Sequence, residues 1–176
     1  ELGRRHRSVS PITASSEQFI DTFQQHLLAN HALVQATVGG MKSAGYGRII
    51  NVASGAVRPG RPNYLHYIAT KAALPGMSLS MARELGPDGI TVNAISPGWT
   101  EDSVLNSLPQ QAQDLIRNWH TRGWTPMGRL GTPEDVGNVA ALFCSEQAGW
   151  ITGQVIYADG GASLMNPEVP PEIQLG

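Results

Sequence analysis

Two short apolar runs separated by one long helical segment constrain the fold of this chain most strongly. Residues 49–53 and 90–95 are mostly apolar and rich in β-branched side chains, which is typical of strands buried on both faces. A Pro- and Gly-containing loop at 55–63 and a helix over about 64–85 lie between them. Because such a strand–helix–strand unit joins parallel neighbours, the sequence predicts an α/β fold.

Further segments extend this pattern on both sides. A helix is predicted to begin at Ser15 or Ser16 and to run to about Met41, and a later helix has Thr132 as its N-cap with Pro133 in its first turn. A last strand covers 154–158. The prediction is therefore about three parallel strands with flanking helices, in a single unit without internal repeats.

Residues 99–127 are the least regular part of the chain. Short amphipathic helices broken at Pro109 are predicted there, directly after a strand. Ligands of open α/β sheets bind at the carboxyl ends of strands, so we interpret 99–127 as a mobile substrate lid. A packed surface excursion is the alternative. The Pro-rich tail over 163–176 is expected to be extended.

Composition narrows the class of protein. The 176 residues are 41% hydrophobic, which is enough for one domain with a core. A net charge of -2 argues against a nucleic-acid or membrane-surface partner, and no apolar run reaches the length of a membrane span. We therefore expect a cytoplasmic protein. Its single cysteine, Cys144, allows no disulfide framework and is expected to be a core residue.

A serine, a tyrosine and a lysine occur at a spacing that suits proton transfer to oxygen. Ser54 ends the first predicted strand, Tyr67 follows thirteen residues later and Lys71 four after that. Tyr67 and Lys71 thus lie on one face of a helix. An ammonium beside a phenol favours the phenolate, so the pair can exchange a proton with an alcohol or carbonyl oxygen near neutral pH. A packed tyrosine beside a solvated lysine is the structural alternative.

Five ordered segments, which include this triad, resemble the short-chain dehydrogenase/reductase family. They are 47–54, 67–74, 90–98, 128–136 and 151–161. The resemblance implies a Rossmann-like, doubly wound parallel sheet and a nicotinamide cofactor, NADP or NAD. It implies reduction of a carbonyl or oxidation of a secondary alcohol, as in a 3-oxoacyl reductase or another ketone reductase. No metal site is expected.

The same resemblance implies roles for individual residues. Tyr67 is the general acid/base, Lys71 also bonds the nicotinamide ribose, and Ser54 orients the substrate oxygen. Pro97 and Gly98 bring backbone close to the nicotinamide ring, which glycine permits because it has no Cβ. Tyr67 and Lys71 thus count as both catalytic and cofactor-binding residues. Small-molecule substrates and a homodimer or homotetramer are also implied.

The chain departs from the family pattern at several positions. His26 stands where the family carries an asparagine that helps to hold a proton-relay water; Asn30 can substitute for it, or His26 merely packs. Thr100 or Ser103 can take the place of a threonine that bonds the nicotinamide amide, and we favour Thr100. Tyr64 and Lys71 have the spacing of the enoyl-reductase branch, which reduces carbon–carbon double bonds.

The Gly-rich phosphate-binding turn of the family does not occur in this sequence. We therefore expect the chain to represent only the C-terminal portion of a Rossmann-type domain, so that residues 1–176 form one incomplete domain. The choice between NAD and NADP stays open, because its determinant belongs to the absent half. A non-catalytic fragment or degenerate copy without a dinucleotide grip is the alternative to an enzyme.

Overall fold

The computed structural model of the protein describes residues 14–101 and 103–164, in which helices alternate with strands. The helices and strands are α1 (Ser16–Phe23), α2 (Ala29–Ala44), β1 (Gly47–Val52), α3 (Leu65–Leu85), β2 (Ile90–Pro97), α4 (Ser103–Asn106), α5 (Gln110–Trp119), α6 (Pro133–Cys144) and β3 (Val155–Ala158).

The three strands form one parallel sheet in the order β1-β2-β3. Val52 of β1 is level with Ile95 of β2, and Pro97 of β2 is level with Ala158 of β3. The carboxyl ends of all three strands therefore lie at the same edge. The predicted α/β fold with a parallel sheet and flanking helices is confirmed.

The central strand, β2, is buried on both faces. Its residues from Ile90 to Ser96 are all buried, which explains its nearly continuous apolar sequence. Helices α2 and α3 cover the face that carries Ile90 and Val92, and α6 also contacts the strand. Each aliphatic side chain fully buried here contributes about 1.5–3 kcal/mol to folding.

Two helices begin at the residues that the sequence indicated. Ser15 caps α1 by accepting a hydrogen bond from the backbone N–H of Gln18, whose side chain in turn accepts from the N–H of Ser15. Thr132 and Asp135 exchange the same pair of bonds at the start of α6. These capping boxes satisfy backbone donors that would otherwise lack partners.

One wide helical turn was not predicted. Residues Gln24–Leu28 form a π-helical turn between α1 and α2, which shifts the side chains that follow relative to a regular α-helix. His26 lies in this turn. Apolar periodicity does not reveal a single inserted residue, so the sequence predicted one uninterrupted helix.

A chain of buried polar groups ties the first strand to two helices. Asn51, only 1% exposed in β1, accepts a hydrogen bond from Asn30 Nδ2 at 2.8 Å and donates to Ser78 Oγ at 2.7 Å. Ser78 Oγ donates onward to the carbonyl of Leu74 at 2.9 Å. Because each buried group has a partner, the network fixes α2 and α3 against β1 without the cost of an unsatisfied polar atom.

The structure corrects the prediction for Cys144 and describes only the first residues of the predicted tail. Cys144 is exposed, and its neighbour Phe143 is the buried residue at the end of α6. The prediction of a core cysteine was wrong because a step of one residue along a helix turns the side chain to another face. The tail predicted over 163–176 lies outside the described residues except at 163 and 164, which belong to the short 3₁₀ turn Ala162–Leu164.

Among the helices within 14–101 and 103–164, none combines the length and apolar character needed to cross a lipid bilayer.

We expect Asn51→Ala to lower the free energy of unfolding by about 1–3 kcal/mol, because it leaves buried partners on α2 and α3 unsatisfied. Urea denaturation measures this loss. Asn138→Ala removes an exposed asparagine from α6 and is the matched control. Equal stability of the two variants would contradict a role for the buried network.

Candidate active site

The parallel register carries two predicted site segments to the same place. The N–H of Ala53 donates to the carbonyl of Ile95 at 2.8 Å, so the chain beyond β1 stays beside the end of β2. A Cβ on Gly55 would lie 2.9 Å from the carbonyl oxygen of Pro97. Ser54 and the Pro97–Gly98 pair are therefore neighbours at the carboxyl edge of the sheet, where α/β proteins bind ligands.

Ser54 is held by the turn that follows the strand. Its extended backbone precedes the 3₁₀ turn Gly55–Val57, and its Oγ accepts a hydrogen bond from the N–H of Ala56 at 3.2 Å. A hydroxyl that accepts in this way keeps its own hydrogen for donation. Ser54 can therefore donate a hydrogen bond to a substrate oxygen.

Lys71 points from α3 toward the end of β1. Its Nζ donates to the carbonyl of Val52 at 2.8 Å and lies 5.9 Å from the ring centroid of Tyr67. Burial lowers the pKa of Lys71 below its ordinary value. An ammonium carries three donors, so two remain after the bond to Val52.

Tyr67 stands in the first turns of α3 and is contacted by two other rings. The ring of His26 meets it edge to face at a centroid distance of 5.6 Å, and the ring of Tyr64 does so at 6.2 Å. The predicted i,i+4 placement of Tyr67 and Lys71 on one helix is thus present, and His26 is brought to the same phenol from a different helix.

A hydrogen bond with Thr70 joins His26 to α3. Thr70 Oγ1 lies 3.1 Å from His26 Nδ1 and 2.9 Å from the carbonyl oxygen of Tyr67. Thr70 is buried, and the pair joins the π-helical turn to the helix that carries the catalytic candidates.

Asn30, the alternative to His26 as holder of the proton-relay water, makes a hydrogen bond inside the protein. Its side-chain amide donates to Asn51 in the buried network. Asn30 therefore positions α2 against β1, whereas His26 is the residue that contacts the phenol of Tyr67.

Close contact with Asp159 leaves no room for a side chain at position 98. A Cβ there would lie 2.8 Å from both Cα and Cβ of Asp159, and the N–H of Gly98 donates to the carbonyl of Ala158 at 3.0 Å. The Asp159 carboxylate accepts from the N–H groups of Gly161 and Ser163, both at 2.9 Å. The ends of β2 and β3 are thus in close contact beneath the site.

The two residues considered for the nicotinamide amide lie just beyond Gly98. Thr100 forms an isolated parallel bridge with Gly131, which draws the start of α6 toward the site. Ser103 begins α4, and its side chain lies outside the described residues.

The segment 99–127 is anchored by its own side chains. Arg117 donates to both carboxylate oxygens of Glu101, at 2.8 and 2.7 Å, and this bidentate pair ties α5 to the segment that follows β2. The rings of Trp119 and Trp124 stack at 4.9 Å. His120 is buried, with its ring 5.2 Å from that of Trp119 and its Nδ1 2.6 Å from Thr125 Oγ1, and burial lowers its pKa.

An open groove of about 430 Å³ runs between α2 and the edge of β1. Val52, 49% exposed, lies along this edge, and the side chains of His26, Asn30 and Lys71 also line the groove. The site is therefore open on the side of β1, the first strand of the described sheet.

These residues fit the nicotinamide end of a dinucleotide. The two remaining donors of Lys71 suit ribose hydroxyls, and Pro97 and Gly98 end a strand at the ligand-binding edge. The diphosphate normally requires a Gly-rich turn at a helix N-terminus, and the sequence does not contain that motif. The fit therefore applies to one end of the cofactor. Within 14–101 and 103–164, no group of three His, Cys, Asp or Glu residues could hold a metal ion.

Several residues of the site were missed by sequence reasoning. Thr70 bonds to His26, and Asp159 accepts a hydrogen bond from the chain after β3. No local pattern in the sequence marks either residue as part of the site. Asn51 gave a usable signal, since one amide inside an apolar strand must find a buried partner. Arg61 gave none, because its partners Tyr64 and Trp99 are recognisable only in space.

We expect Lys71→Met to change the free energy of unfolding at pH 7 by no more than about 1 kcal/mol. The lost hydrogen bond to Val52 is offset by removal of a buried charge. The folded state releases the Lys71 proton at a lower pH than the unfolded state. The stability of the wild type relative to Lys71→Met must therefore rise with pH between the lowered pKa and the ordinary value of 10.5.

Urea denaturation between pH 7 and that value measures this slope. Lys42→Met, which removes an ammonium 3.0 Å from Asp88 on the surface, is the control for the loss of one positive charge. A relative stability that stays constant or falls would contradict burial of a charged Lys71.

Known proteins with similar sequences are reductases or oxidoreductases. The family profile described as enoyl-(acyl carrier protein) reductase matches residues 4–163. The 3-oxoacyl-[acyl-carrier-protein] reductase FabG of Rickettsia felis is 37% identical over 154 residues, which are 88% of this chain and 62% of that protein. The uncharacterized oxidoreductase YjdA of Bacillus subtilis is 44% identical over 115 residues, 65% of this chain and 43% of that protein. The chain thus spans less than two thirds of these relatives.

Solved structures of oxidoreductases share this fold. The acetoin dehydrogenase YohF from Salmonella typhimurium has a TM-score of 0.77 at 29% identity, over 92% of this chain and 62% of that one. YwfH, an NADPH dependent reductase involved in bacilysin biosynthesis, has a TM-score of 0.76 at 30% identity, over 88% of this chain and 61% of that one. With the family profile covering most of its length, the chain belongs to the short-chain dehydrogenase/reductase family.

Proposed function

We propose that the protein is an NAD(P)-dependent oxidoreductase that interconverts a carbonyl and a secondary alcohol. The observation that carries this proposal is the ammonium of Lys71 against the ring of Tyr67, with Ser54 at the end of the neighbouring strand. The names of two relatives, a 3-oxoacyl reductase and an acetoin dehydrogenase, describe chemistry of this type. The cytosol is the proposed compartment.

The proposed reaction assigns one task to each of the three residues. Ser54 donates a hydrogen bond that orients the substrate oxygen, and Tyr67 gives its phenolic proton to that oxygen in reduction or takes it back in oxidation. Lys71 stabilises the phenolate that Tyr67 becomes and holds the ribose of the nicotinamide nucleotide. The nucleotide, when bound with Pro97 and Gly98 nearby, supplies the hydride.

We assign His26 a positioning role in the same proposal. Its ring packs edge to face on Tyr67 and its Nδ1 is fixed by Thr70, so it restrains the phenol through contacts from two helices. The segment 99–127 is proposed as the substrate lid, since it follows β2 directly and Trp99 lies at its start. Thr100 is our proposed partner of the nicotinamide amide.

A second candidate function is reduction of a carbon–carbon double bond with Tyr64 as the acid. The description of the matching family profile, an enoyl reductase, favours it. Against it, the ammonium of Lys71 lies near the ring of Tyr67, and the ring of Tyr64 has the guanidinium of Arg61 4.5 Å from its centroid. The carbonyl reaction is therefore our first proposal.

We expect Tyr67→Phe to lower turnover in the full-length protein by a factor of at least about 100, because only the transferable proton is removed. Tyr64→Phe keeps the ring and is the matched control, with a small effect. The assay follows NADPH and NADH oxidation with ketones and with enoyl thioesters. Loss of activity in Tyr64→Phe alone would establish the enoyl reaction instead. If neither nucleotide binds in a fluorescence titration, the chain is a non-catalytic copy.

We also propose that copies of the protein associate as a homodimer or homotetramer. Exposed apolar side chains concentrate on the helices before β1 and on α3, among them Ile20, Phe23, Leu28, Leu33 and Leu79. Leu33 is 68% exposed on α2, and helices with apolar residues outside one stripe need further cover.

We expect Leu28→Glu combined with Leu33→Glu to shift the protein to a smaller species in sedimentation velocity at micromolar concentration, because two charges would enter an apolar interface. Leu115→Glu, at a 72% exposed position of α5, is the control and leaves the distribution unchanged. A wild type that sediments as a monomer would contradict self-association through these helices.

A further inference from the structure

The loop between β1 and α3 places an arginine among aromatic rings beside the site. The guanidinium carbon of Arg61 lies 4.5 Å from the ring centroid of Tyr64 and 5.0 Å from that of Trp99. Arg58, three residues earlier, lies 5.8 Å from the ring of Tyr157 at the end of β3. These contacts hold two cationic groups near the carboxyl ends of the strands.

Neither arginine has a carboxylate partner among residues 14–101 and 103–164. The ion pairs in this part of the chain involve other cations. Arg117 pairs with Glu101 at 2.7 Å, and Arg129 pairs with Asp135 at 2.6 Å. The arginines paired with carboxylates thus lie in residues 99–127 and just before α6, whereas no carboxylate of the described residues balances the charge of Arg58 or Arg61.

Arg61 lies on the side of Tyr67 that carries Tyr64 and Trp99. Tyr64, which Arg61 contacts, meets the ring of Tyr67 at 6.2 Å, and Trp99 immediately follows Gly98 at the start of the lid. His26 and Lys71 approach Tyr67 from the groove along β1 instead. Arg61 is thus linked to Tyr67 through the ring of Tyr64, and it does not line the groove that His26 and Lys71 share.

Contact with aromatic rings prepares a guanidinium for binding an anion. It restrains a flexible side chain by cation–π attraction, and the N–H donors at the edge of the planar group stay available. That edge matches the two oxygens of a carboxylate or phosphate, and arginine binds such groups in a bidentate way.

We propose that Arg61 binds an anionic group of the substrate, so that the substrate is a carbonyl compound with a carboxylate or phosphate several bonds from the reacting carbon. The proposal rests on the carbonyl reaction proposed above. Arg61 acts as a specificity-determining residue and takes no part in proton or hydride transfer. A ketone without an anionic group would then be a poorer substrate.

The test compares ketones that differ in one charge. Reduction of 4-oxopentanoate, 5-oxohexanoate and 6-oxoheptanoate by the full-length protein is measured beside that of their methyl esters. Dihydroxyacetone phosphate and dihydroxyacetone form the phosphate arm. For the wild type we expect a larger kcat/KM for the charged member of at least one pair, on the order of tenfold to a hundredfold, the usual range for one charge-assisted contact.

Arg61→Gln should remove this preference by raising KM for the charged ketone, with kcat/KM for the neutral member nearly unchanged. Arg61→Lys should restore part of it, because the charge remains without the bidentate edge. Arg83→Gln, which removes an exposed arginine near the end of α3, is the matched control and leaves the preference intact.

Several outcomes would overturn the proposal. A wild type that prefers the neutral ketones in every pair, or an Arg61→Gln variant with unaltered preference, excludes anion binding by Arg61. A weaker affinity of Arg61→Gln for NADPH, with the preference retained, would assign Arg61 to the cofactor.

If no ketone is reduced, the carbonyl reaction itself has failed. Saturation-transfer NMR with 5-oxohexanoate then decides on Arg61 separately. Binding to the wild type that is lost in Arg61→Gln and kept in Arg83→Gln supports the anion site. Equal binding, or none, rejects it.

Discussion

The pairing of β1 with β2 is the interaction on which the site depends. Because the strands run parallel and Val52 is level with Ile95, both chains leave the sheet at the same height. Ser54 and Pro97 are thereby brought together although they are far apart in sequence. The contact of Gly55 with the Pro97 carbonyl allows no side chain between them. A register shift of one residue would turn Ile90 and Val92 away from the core that they share with Ile49, Ala82 and Leu85, so the apolar core also fixes the site.

Helices α2 and α3 reach the site through polar contacts rather than through apolar packing alone. Asn51 presents one amide to both helices, which selects their rotation and height against β1. Apolar side chains slide past one another at little cost, whereas a buried amide that loses its partner is penalised. Thr70 makes the corresponding connection between His26 and α3. The polar network therefore positions the groups around Tyr67.

Lys71 makes a structural contact and has a chemical task in the proposed reaction. Its ammonium is bonded to a strand carbonyl at the open side of β1, and burial penalises its charge. A partly buried cation exerts a stronger field on a neighbouring phenol than a solvated one, because less water screens it. In the proposed reaction, the surroundings that penalise the charge of Lys71 therefore also strengthen its effect on Tyr67.

Local patterns in the sequence determined the strands and the helix starts, and they indicated the candidate residues of the site. Buried strands need runs of β-branched apolar residues, Ser15 and Thr132 are cap residues by chemistry, and Tyr67 and Lys71 share a helix face by spacing alone. The inserted π-helical turn at His26, the partners of Asn51, the exposure of Cys144 and the rings around Arg61 were decided by tertiary structure. Each of these depends on which residues meet across distant elements, and a one-residue change in helix phase or strand register redirects such contacts while leaving the local pattern unchanged.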